Sequence, residues 1–173
     1  MARIIYKEGL EGQNRLECIE GIEIELLNGQ KALIYPKYAE RALLESEKIS
    51  KWGAANETEI EALKVKNTYV KTVALLNVDS PAVEWVTQVG ADTHCCFNLP
   101  SLLAAMELQH QKMYIDTLAD TIKGADLLRD FTNNVWSCSR YSEYHGWIAH
   151  GDYGFASDNV LYGAGLAVPV ILY

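Results

Sequence analysis

The chain has no long apolar run and no excess of positive charge, and each lack excludes a class of function. No segment approaches the ~18 consecutive apolar residues of a membrane span, so membrane insertion is not expected. Acidic residues outnumber basic ones by 23 to 15, and the formal net charge of −8 argues against nucleic acid or anionic lipid as a partner. The start, Met1-Ala2-Arg3-Ile4-Ile5-Tyr6, meets Lys7 and Glu8 at once and has no apolar signal core. The expected location is therefore cytoplasmic as synthesised, with a virion-associated protein as the variant of that reading. Cysteine is sparse and has no framework spacing: Cys18, Cys95, Cys96 and Cys138 are read as reduced thiols, with Cys95 and Cys96 as buried small hydrophobes. His94-Cys95-Cys96 has no second Cys/His pair at zinc spacing, so neither a metal nor another cofactor is expected. No internal repeat, low-complexity tract or Pro/Ser-rich linker divides the 173 residues, which fit one domain over 21–173 with a short extension, 1–20.

What is present falls into three stretches. Ile22-Glu23-Ile24-Glu25-Leu26 alternates apolar and charged residues as a half-buried strand does. Asn28-Gly29 is a two-residue hairpin signal, and Lys31-Ala32-Leu33-Ile34-Tyr35 returns as the partner strand before Pro36. The middle reads as helical. Glu40 to Lys48 is expected to be a short helix ended by Lys51-Trp52-Gly53, and Asn56 or Thr58 caps a second through Leu63. Lys64 to Val78 fits either period. Ser80-Pro81 opens a helix that Gly90 should close. Another starts at Leu99-Pro100-Ser101 and continues to the basic turn and stop at Lys123-Gly124. Leu127 and Leu128 then lead to Phe131. After Asn133-Asn134 the character changes to short strands and glycine turns, which makes α+β the economical class.

Val135 to Tyr173 holds half of the ten tyrosines, two of the four tryptophans and five glycines, with no lysine and only Arg140 as a long cation. Tyrosine and tryptophan supply broad contact area at low entropy cost, and small residues supply adaptable loops, so this composition suits a binding surface on a β scaffold. Trp136 and Trp147 are expected in the core by their burial habits.

The order of signals resembles a known family. It comprises Trp52-Gly53, a helix with Trp85, the start at Leu99-Pro100-Ser101, then Trp136-Ser137-x-Ser139-x-Tyr141, Gly146-Trp147, Gly154 and a terminal Val168-Pro169-Val170. This is similar to the bacterial and phage family typified by the C-terminal domain of the Legionella collagen-like adhesin, common in gut Bacteroides and their phages. Within the resemblance, Gly151 stands where the family has a large apolar residue, Val168 where it often has Arg, and Cys138 where Ser is usual. The resemblance implies a C-type-lectin-like fold, with an N-terminal hairpin, two or three helices and C-terminal antiparallel strands with long loops. It also implies kinship with formylglycine-generating enzymes and with the variable proteins of diversity-generating retroelements. In the latter, varied residues interleave with fixed Trp-Ser and Gly positions. The matching positions here are Cys138, Arg140, Glu143, Tyr144, His145, Ala149, His150, Asp152, Tyr153, Asp158 and Asn159. The implied ligand-binding face consists of Arg140, Tyr144, His145, His150, Asp152, Tyr153 and Asp158, aromatic anchors with a polar rim.

Catalytic residues are not expected. Lectin triplets of the Glu-Pro-Asn, Gln-Pro-Asp and Trp-Asn-Asp type are absent, so calcium is not required, although Asp152, Asp158 and Asn159 could offer oxygens. Oxidase chemistry of the formylglycine-generating type needs a late cysteine pair or a metal, and only Cys138 lies late in the chain. His145 or His150 could be drawn beside Glu143 or Asp152 as base and orienter, but no serine lies in a nucleophile elbow. Gly163-Ala164-Gly165 precedes an apolar strand rather than a phosphate-binding helix. The expected function is recognition of a cell-surface glycan or protein. The alternatives are a structural subunit of a phage tail or adhesin, which would form a homo-oligomer, and, more distantly, an oxidase.

Overall fold

In the computed structural model the described residues are 2–46, 52–130 and 134–173, with the Asp130 side chain left aside. Strands β1 (Arg3–Tyr6), β2 (Ile19–Glu25), β3 (Lys31–Ile34) and β4 (Ala39–Leu43) come first. Helices α1 (Glu59–Leu63), α2 (Tyr69–Leu75), α3 (Pro81–Thr93), α4 (Leu102–His110) and α5 (Lys112–Ala119) follow. Strands β5 (Val135–Ser142), β6 (His145–Ala149), β7 (Ala156–Val160), β8 (Ala164–Ala167) and β9 (Val170–Leu172) close the chain. Two sheets result, one ordered β1-β2-β3-β9 and the other β4-β8-β5-β6-β7, so the class is α+β.

The hairpin forms where the alternation places it, with Glu25 opposite Lys31. Its loop holds three residues rather than two. Leu26 and Gln30 still pair at 2.9 Å, the Gly29 amide closes a turn on the Leu26 carbonyl, and Gly29 takes the left-handed conformation, φ +82°. Ile22 and Ile24 face the core on one side of β2. On the other side Glu23 is enclosed by Arg3 Nε at 2.9 Å, Lys31 Nζ at 3.2 Å and the hydroxyl of Tyr173, which donates to it. The Tyr173 hydroxyl and the two cations hold the Glu23 carboxyl at about 2 despite its burial, and the Tyr173 phenol rises to about 12, first by burial and then by that carboxylate. Because β1 pairs along β2, the first residues belong to this sheet, and the boundary expected at residue 20 falls inside β2.

Several expectations in the middle change. Glu40 to Leu43, read as helical, is strand β4, and the rest of that expected helix, 47–48, and its stop at Lys51 lie outside the described residues. Tertiary pairing overrides local propensity here: Ala42 and Leu43 pair with Gly165 and Ala164, and the Ala42 carbonyl accepts from the buried Trp136 indole at 2.8 Å. Among the described residues five α-helices replace two or three, because 64–78 yields α2 and the 101–123 pattern divides at Gln111. There the Gln111 amide donates to the Glu25 carbonyl and the Glu107 carboxylate, tying the bend to the first sheet. Thr58 and Ser101 do cap helices, Thr58 in a reciprocal box with Glu61. Gly90 does not end α3, which runs to Thr93 and closes on His94 at φ +58°. Gly90 is needed for a close approach, since a Cβ there would lie 2.7 Å from the Cys95 carbonyl. Nor are the late strands all antiparallel with long loops: β5, β6 and β7 are antiparallel, but β5 meets β8 in parallel at Val135 and Leu166, β9 crosses to β3, and tight pairing leaves only short turns except between β6 and β7.

Apolar residues gather in two main cores. One joins the first sheet to α4 and α5 through residues such as Ile24, Ile34, Leu108 and Ile115. The other packs α2 and α3 on the second sheet around Trp52, Trp136, Val83, Val86 and Ile148. A small third cluster places Trp147 against Ala62 and Leu102. All four thiols are free; Cys18 and Cys138 are buried, whereas Cys95 and Cys96, expected to be buried, are half-buried and exposed because the chain turns at the surface after α3. Among the described residues, no helix is long and apolar enough to cross a membrane.

Candidate functional site

Strand β6 carries an aromatic group at each end. Five residues at about 3.3 Å each separate His145 from His150 by roughly 16 Å, so the expected binding residues divide into two groups. Both groups stand on β5-β6-β7, whose register places Trp147 opposite Asp158 and His145 opposite Val160.

The first group surrounds the β5–β6 turn. Trp147 is 8% exposed; its indole donates to the Glu57 carbonyl at 2.7 Å, and its ring meets the edge of Tyr141 at 4.9 Å and 88°. Tyr141 also touches the His145 ring edge-on at 6.2 Å. The His145 Nδ1 shares a hydrogen bond with Ser142 Oγ at 3.1 Å, while its Nε2 is 3.9 Å from Asp158, outside hydrogen-bond reach. Tyr144 is exposed at the tip. Arg140 is oriented inward: its Nη1 donates to the carbonyls of Trp52 and Ala54 at 2.5 and 2.7 Å, and its Nε donates to that of Ser142 at 2.9 Å. The Arg140 carbonyl accepts from Glu57, and Lys71 pairs with the Glu57 carboxylate at 2.8 Å. Residues 52–58 are thus strapped across the sheet. Between strap and turn runs an open groove of about 490 Å³, lined by Asn56, Thr58, Glu59, Tyr141, Ser142 and Trp147.

The second group is the turn after β6. His150 stacks on Phe155 at 4.9 Å and 15° and on Tyr153 at 5.5 Å and 25°, and Tyr153 and Phe155 lie 5.9 Å apart at 12°. Tyr153 is 72% exposed and Phe155 48%. Backbone bonds fix the turn, from His150 to the Phe155 carbonyl at 2.9 Å and from Gly154 to the His150 carbonyl at 2.8 Å. Gly154, at φ +69°, lies so close to α4 that a Cβ would sit 2.6 Å from the His110 ring. Lys112 Nζ reaches the Gly151 carbonyl at 3.3 Å, the Asp152 amide donates to His150 Nδ1 at 3.3 Å, and the Asp152 side chain is exposed.

Of the residues expected on a binding face, Tyr144, His145 and Asp158 meet at the first end, and His150, Asp152 and Tyr153 at the second. Arg140 belongs to the strap. Cys138 and Ala149, at interleaved positions, are buried, and burial pushes the Cys138 thiol up to about 12, which leaves it an inert thiol. Sequence reasoning missed Phe155 and the groove wall from Asn56 to Glu59. Phe155 could have been found from its spacing of two from Tyr153 across a glycine. The groove wall is ninety residues away from Trp147 in the chain and carries no local signal. Among the described residues no group of three or more His, Cys, Asp or Glu side chains could hold a metal ion. Comparison with family models, with curated proteins and with solved structures finds no match.

Proposed function

We propose that this chain is a recognition domain of C-type-lectin-like architecture that binds a cell-surface glycan or protein through the aromatic groups at the two ends of β6. The observation that carries the reading is the contrast in placement among late aromatic residues. Trp136 and Trp147 are buried and hydrogen-bonded to distant backbone, whereas Tyr144, Tyr153 and Phe155 stand exposed on turns of the same strands. Large rings displayed from a rigid sheet with charged residues around them fit the anatomy of a binding patch. An N-terminal hairpin, central helices and a late sheet support the architectural half of the proposal.

The test is staining of intact bacterial and epithelial cells by fluorescently labelled protein, with and without a calcium chelator. Binding that survives the chelator and disappears in a Tyr144→Ala/Tyr153→Ala double variant is the expected result. No staining of any cell, or staining indifferent to the double variant, overturns the reading.

A second reading, a structural subunit of a phage tail or adhesin assembly, draws on α5, where Met113 and Tyr114 are 77% and 71% exposed beside a groove of about 430 Å³. An assembly of this kind would sediment as a defined homo-oligomer that Tyr114→Glu dissociates; a monomer at tens of micromolar would rule it out.

A further inference from the structure

We infer that Tyr153 and Phe155 form an exposed aromatic platform, in one near-parallel cluster with His150, that takes the apolar face of a neutral hexopyranose within a glycan chain. This rests on the reading of the chain as a recognition domain and names the ligand class of one of its two aromatic groups.

The ring distances define the platform. Three rings stacked in a column would leave the outer two roughly twice as far apart as either is from the middle one. Here all three separations lie between 4.9 and 5.9 Å, with every pair of planes within 25° of parallel. His150 is the near neighbour of both other rings, and Tyr153 and Phe155 are the farthest apart and the most nearly parallel. The three rings are therefore mutual neighbours in one near-parallel cluster rather than a column. Tyr153 and Phe155 are the exposed pair, at 72% and 48%.

The platform is built before any ligand arrives. Two backbone bonds close the turn, Lys112 ties Gly151 to α5, and the Gly151 amide donates to Asn134 at 3.1 Å. Little ordering remains to oppose binding.

Shape and charge select the ligand. A π face carries negative quadrupole charge and attracts the weakly positive C–H groups that one face of a pyranose presents together. An apolar protein side chain binds best when enclosed in a pocket, whereas these rings stand proud of the surface. The exposed Asp152 carboxylate belongs to the same turn and Lys112 Nζ lies against it at the Gly151 carbonyl, an acceptor and a donor for sugar hydroxyls. A net charge of −8 opposes sulfated or sialylated chains.

The test combines a glycan array of neutral, sialylated and sulfated oligosaccharides with saturation-transfer NMR using lactose and cellobiose as probes. The wild type, Tyr153→Ala and Tyr153→Phe are compared. Expected are binding to neutral glycans, a loss of about tenfold in Tyr153→Ala, retention within about twofold in Tyr153→Phe, and saturation concentrated on the C–H protons of one sugar face. Binding only to sulfated or sialylated glycans, or neutral binding unchanged in Tyr153→Ala, overturns the proposal. Cell staining that depends on Tyr153 but survives glycosidases and is abolished by protease overturns it too, while the recognition reading stands. If the wild type stains no cell and binds no glycan, both fall.

Discussion

The two ends of β6 use the same residue types in opposite ways. At the His145 end the large ring is fastened inward: Trp147 donates to Glu57, Arg140 grips Trp52 and Ala54, and Lys71 pairs with Glu57. At the His150 end the rings are fastened mainly to one another, and the turn that bears them is held by its own backbone. The difference teaches that an aromatic-rich stretch is not one surface. A ring whose polar atom finds a distant carbonyl becomes scaffold, as Trp147 does, and rings that find mainly one another, as Tyr153 and Phe155 do, stay exposed.

The largest effect that would sharpen this comparison is expected from Trp147→Ala. Removing a buried ring and its hydrogen bond should lower stability by about 3–5 kcal/mol, read by denaturant unfolding. A stable variant that has only lost binding would place Trp147 with the surface and break the contrast. Arg140→Ala comes next. Loss of its hydrogen bonds to the Trp52, Ala54 and Ser142 carbonyls should cost about 2 kcal/mol and accelerate amide exchange at Glu57. Arg140→Lys should not restore it, because a point charge cannot reproduce the fork. Unchanged exchange at Glu57 would show that the strap is held without Arg140.

A smaller effect tests whether acid acts on the scaffold or on the surface. The Glu23 carboxyl lies near 2 in the folded protein, below the ordinary 4.5, through the Tyr173 hydroxyl and the Arg3 and Lys31 charges. A depressed carboxylate contributes stability that is fully present above its unfolded value and is lost as pH falls through its folded one. Stability should therefore fall between about pH 4.5 and 2, and Glu23→Gln should flatten that limb while being less stable at neutral pH. An acid limb unchanged by the substitution would assign the loss to other carboxylates. The smallest effect is expected at the exposed rings: Tyr144→Ala and Tyr153→Ala should stay within about 0.5 kcal/mol of the parent in thermal unfolding. A large drop in either would move that tyrosine into the scaffold.

Much of the fold was readable because local patterns and tertiary demands agreed. The alternation from Ile22 to Leu26, the glycine turn at Gly29 and the caps at Thr58, Ser80 and Ser101 all form where the residues suggest. The failures occurred where a distant partner decided. Glu40 to Leu43 consists of helix-forming residues, yet β8 and the Trp136 indole claim its backbone. Gly90 resembles a helix stop, but it lies within α3 as a contact point for the returning chain.

The sequence by itself determined that the late aromatic residues sit on short strands and turns of an α+β domain, because period, glycine spacing and composition are local properties. It also fixed the net charge of −8. Residue type already pointed Trp136 and Trp147 to the core, and only the tertiary structure decided which distant groups hold them there. That choice depends on whether a carbonyl such as that of Glu57, ninety residues from Trp147, is brought within hydrogen-bond distance. Pairing across such a separation is set by the whole packed chain, and no stretch of sequence contains it.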